Sequence, residues 1–383
     1  MIEELGGKIK RDANQQVIEV NLYLCQPKVE HIESLAALPE IRKLQLWGAE
    51  VSNDSIEPLK KLPKLVDLTL YDTTIDDEGV ARLKGIPTLK SLNLRHTANL
   101  SDDALVHLAE LPNLRYLHLL YNNISDKGLA HLAKMPRLKA LDVRGCMMIT
   151  DAGLAHLKGL AELKSLQLPA SIGDEGLVHL KGLDKLVSLS LQEATVMDEG
   201  LANLEGMTNI EDLTLFGTFI TDEGLVHLAG AKKLKRLSLR EVGIDGSGLV
   251  HLKDASALEK LDLSESDLDD AGLANLKLFP KLRWLNLWHT LITDKGLAPI
   301  AGLRELEYLS LKDTSVTDKG LKHLTALTKL KTLDLEQNAI TDAAIDQLAG
   351  LKTLEKLVLS QTKVTDEGVK RLQKALPSCK IVR

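Results

Sequence analysis

The chain has 383 residues, 44% hydrophobic and 27% charged, which is the composition of a folded soluble protein and not of a disordered one. A net charge of −6 supplies no concentrated basic surface and speaks against nucleic-acid binding. Three scattered cysteines, Cys25, Cys146 and Cys379, fit neither a disulfide framework nor a zinc site, and no apolar run approaches the roughly 18 residues of a membrane span.

The opening stretch MIEELGGKIKRD lacks the apolar core of an export signal, so a cytoplasmic location is expected. From Val17, VIEVNLYL alternates like a strand and reads as a shortened first repeat, making residues 1–40 an N-terminal segment with a capping half-repeat. At Ile41 a full register begins. It recurs at Leu65, Leu89, Leu114, Leu138, Leu163, Leu186, Ile210, Leu234, Leu258, Leu282, Leu306, Leu330 and Leu354. The steps are 24 residues, apart from two of 25 and one of 23, giving an array of about 14 repeats over 41–375. The last residues, LPSCKIVR at 376–383, offer a short strand that covers the end.

Each unit reads L-x-x-L-x-L-x-x-T-x-I-T-D-E-G-L-x-x-L-x-x-L-x-x. Alternation in its first part, as in LTLFGT at 213–218, predicts a strand with Leu213 and Leu215 on one face. The second part spaces Leu225, Leu228 and Ala231 by three, which predicts a short helix with Thr221 as N-cap and Asp222 and Glu223 in its first turn. Gly224 recurs in most units although glycine weakens helices, so the backbones of neighbouring units should pass close there. A column of small polar or thiol residues, among them Asn122, Cys146 and Thr218, can form a hydrogen-bond ladder. One unit cannot bury its leucines alone, but stacked units bury them in a continuous core. The expected fold is a right-handed α/β solenoid, a horseshoe with parallel strands on the concave face and short helices on the convex face. Pro169, in the 23-residue unit, brings no N–H and predicts a local break in the strand ladder.

This pattern resembles the leucine-rich repeat family over residues 17–383. The helical half is similar to the ribonuclease-inhibitor-like and cysteine-containing subclasses, and TDEGLVHLAG at 221–230, with IEELGGKIKRD before the array, resembles bacterial members. Threonine in the ladder column departs from the family's usual Asn or Cys. The resemblance implies a horseshoe and a role in binding proteins.

Aromatics are only 3% of the chain, and nine of the eleven fall on or beside the outward strand positions. Trp284 and Trp288 occupy two such positions of one strand. Tyr23, Trp47, Tyr71 and Phe216 share the column of Trp288, while Tyr116 and Tyr308 share that of Trp284. Core packing does not select aromatics at positions facing solvent, whereas interfaces do. Two candidate patches follow. One combines Trp47, Tyr71, Arg95, His96, Tyr116, His118, Tyr121 and Arg144. The other combines Phe216, Arg236, Arg240, Trp284, Trp288, His289 and Tyr308, with Glu241, Glu265 and Asp313 nearby.

Seven histidines (His107, His131, His156, His179, His227, His251 and His323) repeat once per unit, which marks scaffold and not an active site. No HExxH, GxSxG, phosphate-loop or dinucleotide motif occurs. The expectation is therefore a monomeric, non-catalytic scaffold that takes a protein partner on the concave face, without cofactor, metal, nucleic acid or membrane. A glycan-binding module, or a substrate-recruiting fragment of a larger receptor or enzyme, is the alternative.

Overall fold

The computed structural model describes residues 2–97 and 99–383. Two compact units make up the chain, Met1–Leu186 and Val187–Arg383. In the first, β1 (Lys8–Arg11) and β2 (Val17–Leu22) form an antiparallel hairpin. Parallel pairing then runs from β2 through β3 (Lys43–Trp47), β4 (Asp67–Tyr71), β5 (Ser91–Asn93), β6 (Tyr116–His118) and β7 (Ala140–Asp142) to β8 (Ser165–Gln167). In the second unit it runs from β9 (Ser188–Ser190) through β10 (Asp212–Thr214), β11 (Arg236–Ser238), β12 (Lys260–Asp262), β13 (Trp284–Asn286), β14 (Tyr308–Ser310) and β15 (Thr332–Asp334) to β16 (Lys356–Val358) and β17 (Lys380–Val382). Residues one repeat apart are partners, as with Leu44, Leu68 and Leu92. Each unit is thus an α/β repeat solenoid. The strand leucines, such as Leu285 and Leu287, are wholly buried, and Phe279 fills a core position from the helical side.

Hairpin strand β1 escapes a repeat-based reading because it lies outside the periodic pattern. Its signal is the charged alternation KIKR followed by a turn in which the Asp12 carboxylate accepts from the N–H groups of Asn14 and Gln16.

On the return path the first unit forms α-helices of six or seven residues, Asp77–Arg82, Asp102–Leu108 and Asp126–Leu132. The second unit replaces most of them with 3₁₀ turns such as Glu223–Leu228, Ser247–Leu252 and Leu321–Ala326, until the ten-residue helix Asp366–Ala375. A 3₁₀ segment rises about 2.0 Å per residue against 1.5 Å for an α-helix, so fewer residues span the same path.

The T-D-E-G motif ties repeats together as well as capping turns, as Thr341 and Thr365 do for Ala343 and Gly368. Thr221 does not cap its own turn. Its N–H and hydroxyl both donate to the Asp198 carboxylate of the preceding repeat, at 2.9 and 2.6 Å. The same clamp joins Thr150 to Asp126, Thr293 to Asp270 and Thr341 to Asp318. It explains Gly224, where a Cβ would stand 2.1 Å from Asp198 Oδ1. The close approach expected at this glycine is to a side chain as well as to backbone.

In the ladder column, threonines such as Thr218 and Thr290 donate to a carbonyl of their own turn, at 2.6 and 2.8 Å. The longer amides and the thiol reach across to the preceding repeat, with Asn122 Nδ2 donating to Leu94 O, Asn338 Nδ2 to Leu311 O and Cys146 Sγ to Leu119 O, and Thr97 Oγ1 makes a longer bond of the same kind to Leu70 O at 3.4 Å. Directly after most strands the chain enters the left-handed region, with φ of 55° at His96, 56° at Tyr121 and 52° at His289. Each such non-glycine residue costs on the order of 1 kcal/mol, supplied by the stacked turns.

Toward β7 the ladder is intact at Pro169. The residue at its position donates its N–H within its own strand, as Arg95 does to Asn93 Oδ1 (3.0 Å) and Trp288 to Asn286 Oδ1 (3.2 Å). A proline there gives up no inter-strand bond, and β8 pairs with β7 in ordinary register. Among the described residues no helix is long and apolar enough to cross a membrane.

Candidate partner surface

In each unit, outward positions of the strands leave one sheet face free of helices. Trp47, Tyr71, Phe216, Trp284, Trp288 and Tyr308 are half-buried on it, and Tyr116 and Tyr121 are exposed by 41% and 53%. Phe219 is exposed away from these positions.

In the first unit, Arg95 lies over two rings at once, 5.1 Å from the centroid of Tyr71 and 5.6 Å from that of Tyr121. Tyr121 also lies flat against Gly145, whose φ is +74° and where a Cβ would meet the ring at 2.2 Å. Tyr23 joins the group, stacked on Tyr71 at 5.6 Å and edge-on to Trp47 at 6.1 Å. The Trp47 indole donates to Asp72 Oδ2 (3.1 Å), and Asp72 also holds His96 Nδ1. A second cluster centres on buried Asp142. Arg144 grips it with two hydrogen bonds, at 3.0 and 2.9 Å, and His118 Nδ1 lies 3.9 Å away. Burial pushes the Asp142 carboxyl up, but the bonds from His118 and Arg144 outweigh it and hold the carboxyl below its ordinary range.

The second unit repeats the theme with different residues. Lys260 Nζ sits 4.1 Å from the Trp284 ring centroid on one side, and Tyr308 stacks at 4.9 Å and 9° on the other. Burial raises the Tyr308 phenol above its ordinary range. Arg240 reaches both Phe216 (4.8 Å) and Trp288 (5.3 Å), passing the small buried Ser264. Lys312 approaches Trp288 from the next strand at 5.6 Å. Carboxylates fix the cations: Arg240 Nε donates to Glu265 at 2.7 Å, Arg236 Nε to Asp212 at 2.9 Å, and His289 Nδ1 meets Asp313 at 2.6 Å. Glu241 remains solvent-exposed.

The structure therefore brings Tyr71, Arg95 and Tyr121 together, and likewise Phe216, Arg240 and Trp288, while Tyr116 stands apart from both groups. Tyr23, Asp72, Asp142, Lys260 and Lys312 were not among the expected site residues. Reading down columns finds the two lysines: Lys260 has the position of Trp284 one repeat earlier, and Lys312 that of Trp288 one repeat later. Nothing in the spacing marks Asp72 and Asp142, because their importance depends on which cations turn toward them.

Of the repeated histidines, His227 Nδ1 meets Glu205 at 2.6 Å. Among the described residues no three His, Cys, Asp or Glu side chains are placed to hold a metal ion. All three cysteines are free, and burial pushes the Cys146 thiol up to about 11.

The leucine-rich repeat family model matches residues 280–340, and a second leucine-rich repeat model matches 110–133 and 350–372. No curated protein matches the sequence. Among solved structures, an internalin from Listeria monocytogenes is similar at 22% identity with a TM-score of 0.57, covering 99% of this chain and 92% of the internalin. A leucine-rich repeat protein from Leptospira interrogans is similar at 18% identity with a TM-score of 0.54, covering 91% and 98%. At these identities the likeness is one of fold. Residues 110–133, 280–340 and 350–372 are thus leucine-rich repeats by sequence, and the fold is that of a leucine-rich repeat solenoid.

Proposed function

We propose that the open sheet face of each unit binds a protein partner without catalysis. Its anchors are Trp47, Tyr71, Arg95, Tyr116, His118, Tyr121 and Arg144 in the first unit, and Phe216, Arg236, Arg240, Trp284, Trp288, His289 and Tyr308 in the second. Leucine-rich repeat proteins generally act as protein-interaction scaffolds. The observation that carries the reading is the interleaving of cations and rings, as in Arg240 between Phe216 and Trp288. Such stacks fix bulky side chains before contact, so less freedom is lost on binding. Trp, Tyr and Arg are also the residue types that dominate interface energies.

A glycan partner fits less well. Stacking on a sugar needs a free ring face, and Lys260 and Tyr308 cover both faces of Trp284. A catalytic role finds no support in the buried, protonated Cys146 thiol. Three free thiols suit a reducing compartment, and we infer a single chain as the working form.

Affinity capture from the source cell tests the proposal, comparing the native chain with a Trp47→Ala/Trp284→Ala/Trp288→Ala variant. Each indole is expected to contribute about tenfold in affinity. Loss of a captured protein from a variant that still folds supports the reading, and an unchanged set of captured proteins refutes it.

A further inference from the structure

We propose that strands β5–β8 of the first unit hold an amphipathic acidic helix, with its carboxylates along Lys90, Arg115, Lys139 and Lys164 and its apolar stripe on Tyr116. The inference rests on the reading of the open face as a partner surface and names the chemistry of that partner.

Each of the four cations immediately precedes a strand. Strands lie about 4.8 Å apart, so the four form a row about 14 Å long. The equivalent row in the second unit shows how the same scaffold treats such positions when they serve only itself. There Glu211, Lys235, Glu259, Arg283, Glu307 and Lys331 alternate in sign. Lys235 pairs with Glu211 at 2.8 Å, and Arg283 and Lys331 both pair with Glu307. In the first unit four cations follow one another with no carboxylate between, and neighbours of like charge repel. Among the described residues none of the four has an ion-pair partner, and the buried Nε of Arg115 has no hydrogen-bond partner. The acidic groups nearby are engaged elsewhere: Glu162 faces Lys139 and Lys164 but is bound by Lys185 at 2.5 Å, and Asp142 is gripped by Arg144. A row of unanswered cations is satisfied by anions brought from outside.

Tyr116 supplies the apolar contact. Its neighbours in register are Ser91 and Ala140, too small to cover its ring. This is the reverse of Trp284, which stands between Lys260 and Tyr308. The small residues leave a shelf on which a helix can lie close.

Spacing selects a helix. Carboxylates at i, i+4, i+7 and i+11 of an α-helix span about 16 Å, within about 2 Å of the row, and long Lys and Arg side chains absorb that difference. Four same-face residues of an extended segment span about 20 Å, which overshoots it. A nucleic-acid strand would use successive stacking platforms, whereas this row offers one free ring.

The test is a titration of the whole protein with a labelled synthetic helical peptide of about five turns, carrying a glutamate stripe beside a leucine stripe. A peptide of the same composition with its glutamates spread around the helix is the control, with an oligonucleotide and a sulfated polysaccharide as further probes. Binding of the striped peptide is expected to weaken as salt rises. Lys139→Glu/Lys164→Glu should reduce it at least about tenfold while leaving the thermal midpoint in place, and Tyr116→Ala should reduce it by about threefold to tenfold. Equal binding of the control peptide, tighter binding of the oligonucleotide or polysaccharide, or indifference to charge reversal overturns the inference. Failure here, with capture still lost in the tryptophan variant, removes only the acidic helix. Striped-peptide binding together with an unchanged set of captured proteins removes the aromatic anchors instead.

Discussion

Replacing Gly224 with alanine tests the inter-repeat clamp directly. The new Cβ would lie 2.1 Å from Asp198 Oδ1 and 2.8 Å from Asp198 Cγ, far inside contact distance. Either the carboxylate rotates away or the repeats separate. Rotation gives up the two bonds from Thr221, at 2.9 and 2.6 Å, and bonds to a charged acceptor contribute about 1.5–3 kcal/mol each. Separation opens the core, at the cost of about 1–3 kcal/mol typical of overpacking. The less costly route governs, which predicts a loss of roughly 1–3 kcal/mol. The control is Gly302→Ala, where nothing lies within 4 Å and φ is not positive, and where alanine should be neutral or stabilising by up to about 1 kcal/mol. Urea unfolding followed by circular dichroism and by tryptophan fluorescence reads both variants. A double-mutant cycle isolates the cause: in an Asp198→Ala background the extra methyl has room, and most of the Gly224→Ala penalty should vanish. If the penalty equals that of Gly302→Ala, or persists undiminished without Asp198, the clamp is not why glycine stands there.

One repeat breaks the clamp's chemistry, and Asp245→Thr should repair it. Asp245 takes the place of the usual threonine and sets a second carboxylate against Asp222, which burial and this neighbour raise above its ordinary range despite two backbone N–H bonds. A raised carboxyl contributes stability at low pH that is lost as pH rises through its folded value, so threonine should gain about 1 kcal/mol near neutrality and less in acid. Thermal midpoints measured across pH decide this, and a gain that grows on acidification would contradict it. Asp142 has the opposite sign. Its carboxyl is held low by His118 and Arg144 against burial, so its contribution is present above the ordinary carboxylate range and disappears as pH falls through the lowered value. Asp142→Asn should accordingly lower the midpoint at neutral pH and match the native chain in strong acid; a constant difference at all pH values would rule out the charge as the cause.

Period and alternation made the repeats, strand faces and leucine core readable from sequence, because each is a local pattern repeated many times. Recurrence also exposed Gly224 as a packing position, although the sequence does not say that its neighbour is the Asp198 carboxylate. One reading failed for a geometric reason. Thr221 was assigned to its own helix because capping is the usual work of threonine before Asp-Glu, but the preceding repeat lies closer to its hydroxyl. At Pro169 the ladder is intact toward β7, and equivalent residues such as Arg95 and Trp288 direct their N–H to their own strand. Of the candidate surface, the rings and arginines were legible as exceptions to a leucine-rich strand. Their partners Asp72, Asp142, Lys260 and Lys312 were not, since each looks like ordinary surface charge until its column neighbour is known.

In a solenoid the nearest neighbour of a residue is the same position one repeat away, so each column settles its own accounts. Where a column is nearly constant, as with the Asp of T-D-E-G, most copies are satisfied by a threonine or serine of the next repeat, and the column belongs to the scaffold. Where a column changes, the change is either answered within it or left open. Glu211–Lys235 and Glu307–Lys331 answer it with alternating sign, and Lys260–Trp284–Tyr308 answers it with a stack. The row from Lys90 to Lys164 leaves it open, as does Tyr116 between Ser91 and Ala140. Stability alone gives no reason for four adjacent cations or an uncovered phenol ring, since the second unit builds the same backbone without either. The unanswered columns are therefore where the proposed partner would leave its mark most directly on this chain.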